Sequence, residues 1–497
     1  MPEFTRQQKA FLELVRTGQN VFLSGGAGTG KTYVLKEAVL ELQFSGKNVI
    51  VCAPTGAAAM KCEGTTIHRV FKLRSTLGIN DVKHTPVTHT SELLEHTDVV
   101  VIDEISMVRM DIFDAVTASL SAVQKKTGRP VQLIVSGDFY QLPPVVNNKQ
   151  HERVRLERYY GRPIGNAFAF QADSWDTVGF QTVVLDQVMR QNDSEFVSRL
   201  LKVRTGDASE LAWFEEHSSR SAFPNGISLC ARNANADAIN RHSLQEIPGE
   251  SRIYTASVSG NVLESEKVAQ SEIELKIGTR IITTVNDSHE QYYNGSTGVV
   301  TDLRDKYIRV RFDNSVQDVS IPYYTWHIYE YILNELNQIT VRETGSFSQL
   351  PVKLAYAITI HRSQGATYSN VNLYPVCWES GQLYVALSRV KSIEGLHFDE
   401  KLKPSYLRVD PAVESFYASL RPLKPVTNEE IRKRTTAGRP SQYGRKTKTI
   451  RIPVELEKSL KTALNIWAED PANRMIICVS NGTSEKESFK RIQSALP

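Results

Sequence analysis

The segment Val21-Phe22-Leu23-Ser24-Gly25-Gly26-Ala27-Gly28-Thr29-Gly30-Lys31-Thr32 constrains the fold more than any other stretch of the chain. A continuous apolar run enters G-x-x-x-x-G-K-T, and residues 33–44 continue with helical spacing, which reads as a strand, a phosphate-cradling loop and a helix. The glycines let backbone N–H groups approach phosphate oxygens, and the helix N-terminus adds positive potential. Lys31 is placed for the β and γ phosphates and the Thr32 hydroxyl for magnesium. Gly25, Gly26, Ala27, Gly28, Thr29, Gly30, Lys31 and Thr32 are therefore the expected ATP site. A purely structural glycine-rich turn gives no reason for the lysine at its tip.

Four apolar runs, at residues 20–24, 48–53, 99–103 and 132–137, are continuous rather than alternating, as in strands buried on both faces of a parallel sheet. Helical segments at 33–44 and 110–125 lie between them, a βαβ rhythm that predicts a doubly wound α/β domain. The third run ends in Asp103-Glu104, where a parallel sheet opens to ligand at its C-terminal edge. Asp103 is placed to hold magnesium and Glu104 to orient or deprotonate the attacking water.

A chain of 497 residues is too long for one core and predicts about three domains. Hydrophobic residues make up 41% and charged residues 23%, with no apolar run of membrane-spanning length, so disorder and membrane insertion drop out. Five scattered cysteines without a C-x-x-C pair predict a reducing compartment and no cysteine-based zinc site. From residue 277 the pattern alternates, with Ile308, Val310 and Phe312 against Arg309 and Arg311 and an Asn294-Gly295 turn signal. This predicts an antiparallel β insertion over residues 276–344, after which continuous runs at 353–360 and 370–375 resume the α/β theme. A Pro- and Lys/Arg-rich linker is expected over 407–447 and a small strand-helix segment over 448–497. Between Arg421 and Arg451 stand ten Lys/Arg and two Glu, a local +8 inside an overall +4, so the rest of the chain is net negative.

Four further stretches, Asp103-Glu104-Ile105-Ser106-Met107, residues 137–145 (GDFYQLPPV), residues 359–367 (TIHRSQGAT) and Tyr384-Val385-Ala386-Leu387-Ser388-Arg389, strongly resemble motifs of superfamily 1B DNA helicases. The nearest match is the petite integration frequency (PIF) family, with RecD and Dda types more distant. The resemblance runs from about residue 4 to residue 396. It implies two RecA-like domains, the first over 1–185 with a small wedge near 71–97 that meets a duplex junction, the second over 186–275 and 345–406, carrying an SH3-like β-barrel insertion. It implies that Gln8 reads the adenine edge, that Gln141 senses the γ phosphate, and that Arg190 and Arg389 reach the phosphates from the second domain. Guanidinium suits that task because it is always charged and matches phosphate in a bidentate way. Gly295 is expected to serve a structural turn.

The resemblance also implies a single-stranded DNA track over both domains. Thr55 and Gly56, which open a helix after a strand, together with His68, Thr359, His361, Arg362, Ser363 and Gln364, are the expected phosphate and sugar contacts. Either histidine has a core role as its alternative. Arg362 stands where the family commonly has lysine, which retains charge but changes the donor geometry. Tyr323-Tyr324-Thr325-Trp326 is either a stacking platform for bases or core. The basic residues after 421 are expected to form a flexible arm with an extra DNA contact, and the strand-helix pattern after 448 resembles the start of a ribbon-helix-helix module that pairs two chains. The sequence thus predicts a monomeric or tail-dimerised, ATP- and magnesium-dependent helicase. The resemblance, and no single residue, implies translocation 5′ to 3′, and the expected setting is DNA repair, recombination or replication, in the cytoplasm with the nucleus left open, in a family linked to telomere maintenance. Two rivals stay open: a RecD-like translocase subunit, and a nucleotide-controlled DNA-binding regulator.

Overall fold

In the computed structural model, residues 4–73, 91–146, 150–189, 193–313 and 315–420 are described. Residues 74–90 of the expected wedge, Arg190, and the basic arm and strand-helix segment from residue 421 lie outside them. The first domain is built on β1 (Val21–Gly25), β2 (Val49–Ala53), β3 (Thr65–Thr66), β4 (Val99–Ile102), β5 (Gln132–Gly137) and β6 (Gln181–Leu185). All pair in parallel, in the order β3-β2-β4-β5-β1-β6.

The continuous apolar runs serve two cores at once, because successive strand residues point to opposite faces. Val21, Leu23, Val49, Val51, Val99 and Val101 pack with α1 (Arg6–Arg16) and α2 (Lys31–Phe44). Phe22, Ile50, Cys52, Val100, Ile102 and Val135 face the helix Met110–Thr127 on the other side. Each polar functional segment then begins where a strand stops: the glycine loop after β1, Thr55 after β2, Asp103-Glu104 after β4, and Asp138–Gln141 after β5.

The second domain carries a smaller parallel sheet of Ala357–Thr359, Ile227–Cys230, Val371–Leu373 and Leu396–Phe398, in that spatial order. Along the chain, the antiparallel insertion lies between Ile227–Cys230 and Ala357–Thr359. A five-stranded sheet orders Asp318–Pro322, Tyr307–Phe312, Thr297–Leu303, Arg280–Thr283 and Val352–Leu354. Ile308, Val310 and Phe312 are buried while Arg309 and Arg311 are exposed, as the alternation requires. Antiparallel pairing runs from Arg252 to Leu354, wider than the expected 276–344. Short strands such as Ser257–Gly260 are exposed throughout and carry no period, and the run at 353–360 is split between the two sheets.

A hairpin of the insertion, Tyr324–Leu333 with Ile339–Gln349, reaches back to the first domain. The Tyr331 hydroxyl accepts from Val51 N–H at 3.1 Å on the open edge of β2, and Arg69 holds Glu266 in a buried ion pair at 2.6 Å. Trp326 is buried against Phe347, whereas Tyr324 is exposed.

The expected linker from residue 407 is corrected at its start. Pro411–Ser419 is a helix, capped by the Asp410 side chain accepting from Ala412 N–H. Val413, Phe416, Tyr417 and Leu420 fall at helical spacing and pack onto the first domain's core. Phe416 stacks 4.4 Å from Phe170. The Tyr417 hydroxyl lies 2.7 Å from Ser24 Oγ and accepts from Phe139 N–H at 3.2 Å. The prolines and lysines nearby hid this stripe in a composition reading. Tyr417→Phe strands two buried polar groups, and urea unfolding should show it less stable by about 1–3 kcal/mol with an unchanged m-value.

Candidate nucleotide and strand site

The glycine loop turns at Gly28 and Gly30, both with φ near +80° (+78° and +82°), a region that a side chain would strain. Gly30 is the N-cap of α2 with no side-chain cap, so the helix's first amides are left to a ligand at the loop. Lys31 Nζ donates to the carbonyls of Gly25 (2.7 Å) and Gly26 (3.0 Å). Burial lowers the Lys31 pKa, and the carboxylates of Asp138, Glu104 and Asp103 oppose that effect.

Around this loop is a cavity of about 350 Å³ into which Lys31, Thr32, Asp103, Glu104, Gln141 and Arg389 all open. A larger cavity, about 940 Å³, lies at the opposite ends of the strands among Arg16, Glu41 and Asp98. None of the loop residues 25–32 lines it, so the smaller one is the candidate nucleotide site. Asp103 Oδ1 accepts the Glu104 N–H at 2.9 Å. Thr32 and Asp103 supply one hydroxyl and one carboxylate, the sparse protein donor set that suits magnesium completed by phosphate and water. Glu104 has φ 53° and ψ 45°, a left-handed conformation uncommon for a non-glycine residue and concentrated at functional sites. Burial, and then the neighbouring Asp103, push its pKa up.

The second domain touches the first at this cavity. Gly381 opens the helix Gln382–Leu387, and a Cβ there would sit 2.4 Å from the Tyr140 carbonyl and 2.5 Å from that of Gln141, so only glycine lets the helix approach. The Tyr384 hydroxyl on that helix accepts from Ala27 N–H at 2.8 Å. Arg389 is buried, with Nε donating to Val385 O (2.8 Å) and Nη1 to Ser363 O (3.1 Å). Met189, just before Arg190, donates its N–H to Gly28 O at 2.8 Å.

Gln8 is buried at the third position of α1, where Oε1 accepts from Thr5 N–H at 2.9 Å in a capping box. Its Nε2 lies beside Gly30, 3.0 Å from where a Cβ would stand. One end of this amide is structural and the other borders the loop.

The expected strand contacts divide. Thr55 caps α3 (Gly56–Lys61), its Oγ1 accepting from Ala58 N–H at 3.2 Å. His68 is half-buried on the short helix Ile67–Val70, and burial followed by Arg109 lowers its pKa, with Asp111 opposing. Arg362 is exposed, and His361 lies 3.1 Å from Glu379. Thr359 and Ser363 turn inward instead. Ser363 Oγ donates to Ile360 O at 2.7 Å, and Thr359 Oγ1 accepts from Arg362 N–H at 3.4 Å, which closes the loop on itself. Gln364 turns to the nucleotide side, its Nε2 donating to Glu104 Oε2 (3.4 Å) and Gln141 Oε1 (3.3 Å). Asp138 and Arg204 were not anticipated. Asp138 follows β5 as Asp103 follows β4, a usable signal; nothing marks Arg204 along the chain.

The model of the family described as PIF1-like helicase matches residues 3–212. The chain is 32% identical over 431 residues to the ATP-dependent DNA helicase Pif1 of Bdellovibrio bacteriovorus, covering 84% of this chain and 92% of that relative. It is 34% identical to the ATP-dependent DNA helicase PIF1 of Homo sapiens, spanning 84% of this chain and 64% of the human protein. Among solved structures, Bacteroides sp Pif1 in complex with ADP-AlF4 matches with a TM-score of 0.73 at 34% identity, over 84% of this chain and 97% of that one. Bacteroides Pif1 bound to ssDNA matches with a TM-score of 0.58 at 34% identity, over the same shares of 84% and 97%. A glycine loop closed by a second parallel-sheet domain, and relatives of this identity along most of both chains, lead to one conclusion: the chain belongs to the PIF1-like helicase family.

Proposed function

We propose that this ATP-dependent DNA helicase moves 5′ to 3′ on single-stranded DNA and separates a duplex at the junction ahead, in repair, recombination or replication. The observation that carries the reading is the shared cavity, where Lys31, Glu104 and Gln141 of one domain face Arg389 of the other. Closing the cleft on ATP completes the catalytic set, and hydrolysis releases it, so nucleotide turnover becomes relative domain motion. In this reading Lys31 holds the β and γ phosphates, Glu104 takes a proton from the attacking water, Gln141 reports the γ phosphate, and Arg389 and Arg190 stabilise developing charge. Thr32 and Asp103 hold magnesium, which neutralises phosphate charge when bound. Gln8 reads adenine through the amide end that borders Gly30.

For the strand, we assign Thr55, Gly56, His68, His361 and Arg362 to the track, with Thr359 and Ser363 shaping the loop and Gln364 linking it to Glu104. The relatives' structures named for ssDNA and for ADP-AlF4 support both halves of this reading. The five-stranded sheet is taken as the family's SH3-like insertion, and the Arg432–Lys448 basic cluster as an added DNA contact. No helix among the described residues is long and apolar enough to cross a membrane.

Strand displacement on duplexes with a 5′ or a 3′ single-stranded tail tests this. ATP-dependent displacement of the 5′-tailed duplex alone is expected. Displacement of the 3′-tailed duplex reverses the polarity. DNA-stimulated hydrolysis without displacement favours a RecD-like subunit, and nucleotide-dependent DNA binding without stimulated hydrolysis favours a regulator.

A further inference from the structure

A third arginine stands at the nucleotide cleft. Arg204 ends the helix Ser194–Arg204, and its nearly buried guanidinium grips Asp138 after β5. Nε lies 3.3 and 3.1 Å from the two carboxylate oxygens and Nη2 lies 2.8 Å from Oδ1. The same planar group sits 4.4 Å from the Tyr140 ring centre and 5.5 Å from that of Tyr417. Tyr140 and Tyr417 stack on each other at 4.7 Å. Three separate stretches of chain thus enclose one cation and one anion. The box adjoins the glycine loop, because a Cβ on Gly26 would meet Arg204 Cδ at 3.8 Å.

Asp138 faces two parts of the chemistry. Its Oδ2 accepts from Gln141 Nε2 at 3.4 Å and its Oδ1 from Tyr140 N–H at 3.2 Å, which fixes the turn that presents Gln141. The Lys31 ammonium stands across Gly26 from this pair, donating to the Gly26 carbonyl at 3.0 Å while a Cβ on the same glycine would meet Arg204 Cδ at 3.8 Å. A buried carboxylate stripped of its cation draws the next one available, since burial without a partner is costly. Lys31 is the cation of the adjoining glycine loop.

We propose that Arg204 is a positioning residue for hydrolysis, holding Asp138 on the Gln141 turn and keeping that carboxylate from capturing Lys31. Arginine suits the place because its fork spans both oxygens while its faces stack on tyrosine, which a lysine cannot reproduce. Losing Arg204 should therefore weaken ATP binding through Lys31 and slow turnover through Gln141. The first effect, unlike the second, should depend on the negative charge of Asp138.

The test uses the full chain with saturating single-stranded DNA, below the lowest melting temperature of the set. Arg204→Met should raise the KM for ATP and lower kcat by about tenfold each, the order of one lost bidentate charge contact. Adding Asp138→Asn should bring KM back to within about threefold of wild type while kcat stays low. Arg204→Lys, which keeps the charge, should show near-wild-type KM with reduced kcat; it carries the test alone if Arg204→Met does not fold. A lowered melting temperature with wild-type KM and kcat overturns the proposal, because the pair is then only structural. So does Asp138→Asn alone raising KM as far as Arg204→Met without relief in the double variant, since Asp138 is then itself a ligand. An unchanged kcat in Arg204→Lys overturns it as well.

Discussion

Glu104→Gln should leave ATP and DNA bound while turnover falls by roughly 10²–10⁴-fold, the usual contribution of a positioned general base. The amide keeps the shape and the hydrogen bonds at the cleft, so the Gln364 contact to position 104 survives, but it accepts no proton. Burial and Asp103 hold the native carboxyl's pKa up, which suits a group that must take a proton rather than merely carry charge. Lys31→Ala should abolish turnover as completely, but through loss of nucleotide binding. Steady-state hydrolysis paired with a fluorescent-nucleotide titration separates the two. Turnover of Glu104→Gln within about tenfold of wild type would sink the assignment of the base.

The nucleotide loop was legible in the sequence because its chemistry fixes glycine spacing, the lysine and the flanking elements together. The same holds for Asp103-Glu104, where an apolar strand must end before carboxylates can meet solvent and ligand. Legibility failed where spacing carried no local signal. Gln364 reads as a strand contact beside His361 and Arg362, yet the loop turns by one residue and delivers its amide to Glu104 and Gln141. Ser363 and Thr359 are polar enough to face DNA, but the tight turn consumes their hydroxyls. Arg204 and Asp138 lie far apart along the chain and meet only through the domain interface. The helix Pro411–Ser419 differs from these, since the spacing of Val413, Phe416, Tyr417 and Leu420 was present in the sequence and was masked by neighbouring prolines and lysines.

Arg389→Ala should lower turnover by about 10³–10⁵-fold, the range for an arginine supplied across a phosphoryl-transfer cleft. Nucleotide affinity should change far less, because the guanidinium acts on charge that develops only in the transition state. The structure adds a second consequence. Arg389 also braces its own domain, with Nη1 on the carbonyls of Ser363 (3.1 Å) and Ala366 (3.2 Å) and Nη2 on Ser388 Oγ (2.5 Å). Those carbonyls belong to the loop that exposes Arg362, so the alanine variant should bind single-stranded DNA more weakly as well, measured by fluorescence anisotropy. Arg389→Lys separates the two effects: an ammonium can restore charge to the cavity but cannot reproduce the guanidinium's fork onto the two loop carbonyls and Ser388 Oγ. Partial recovery of turnover with DNA binding still weak is the expected pattern. If nucleotide affinity in Arg389→Ala fell in proportion to turnover, the arginine would be a ground-state ligand, and cleft closure would lose its main chemical purpose. If DNA affinity were untouched, the loop would hold its shape without the brace, and coupling between cleft and strand would have to run through Gln364 alone.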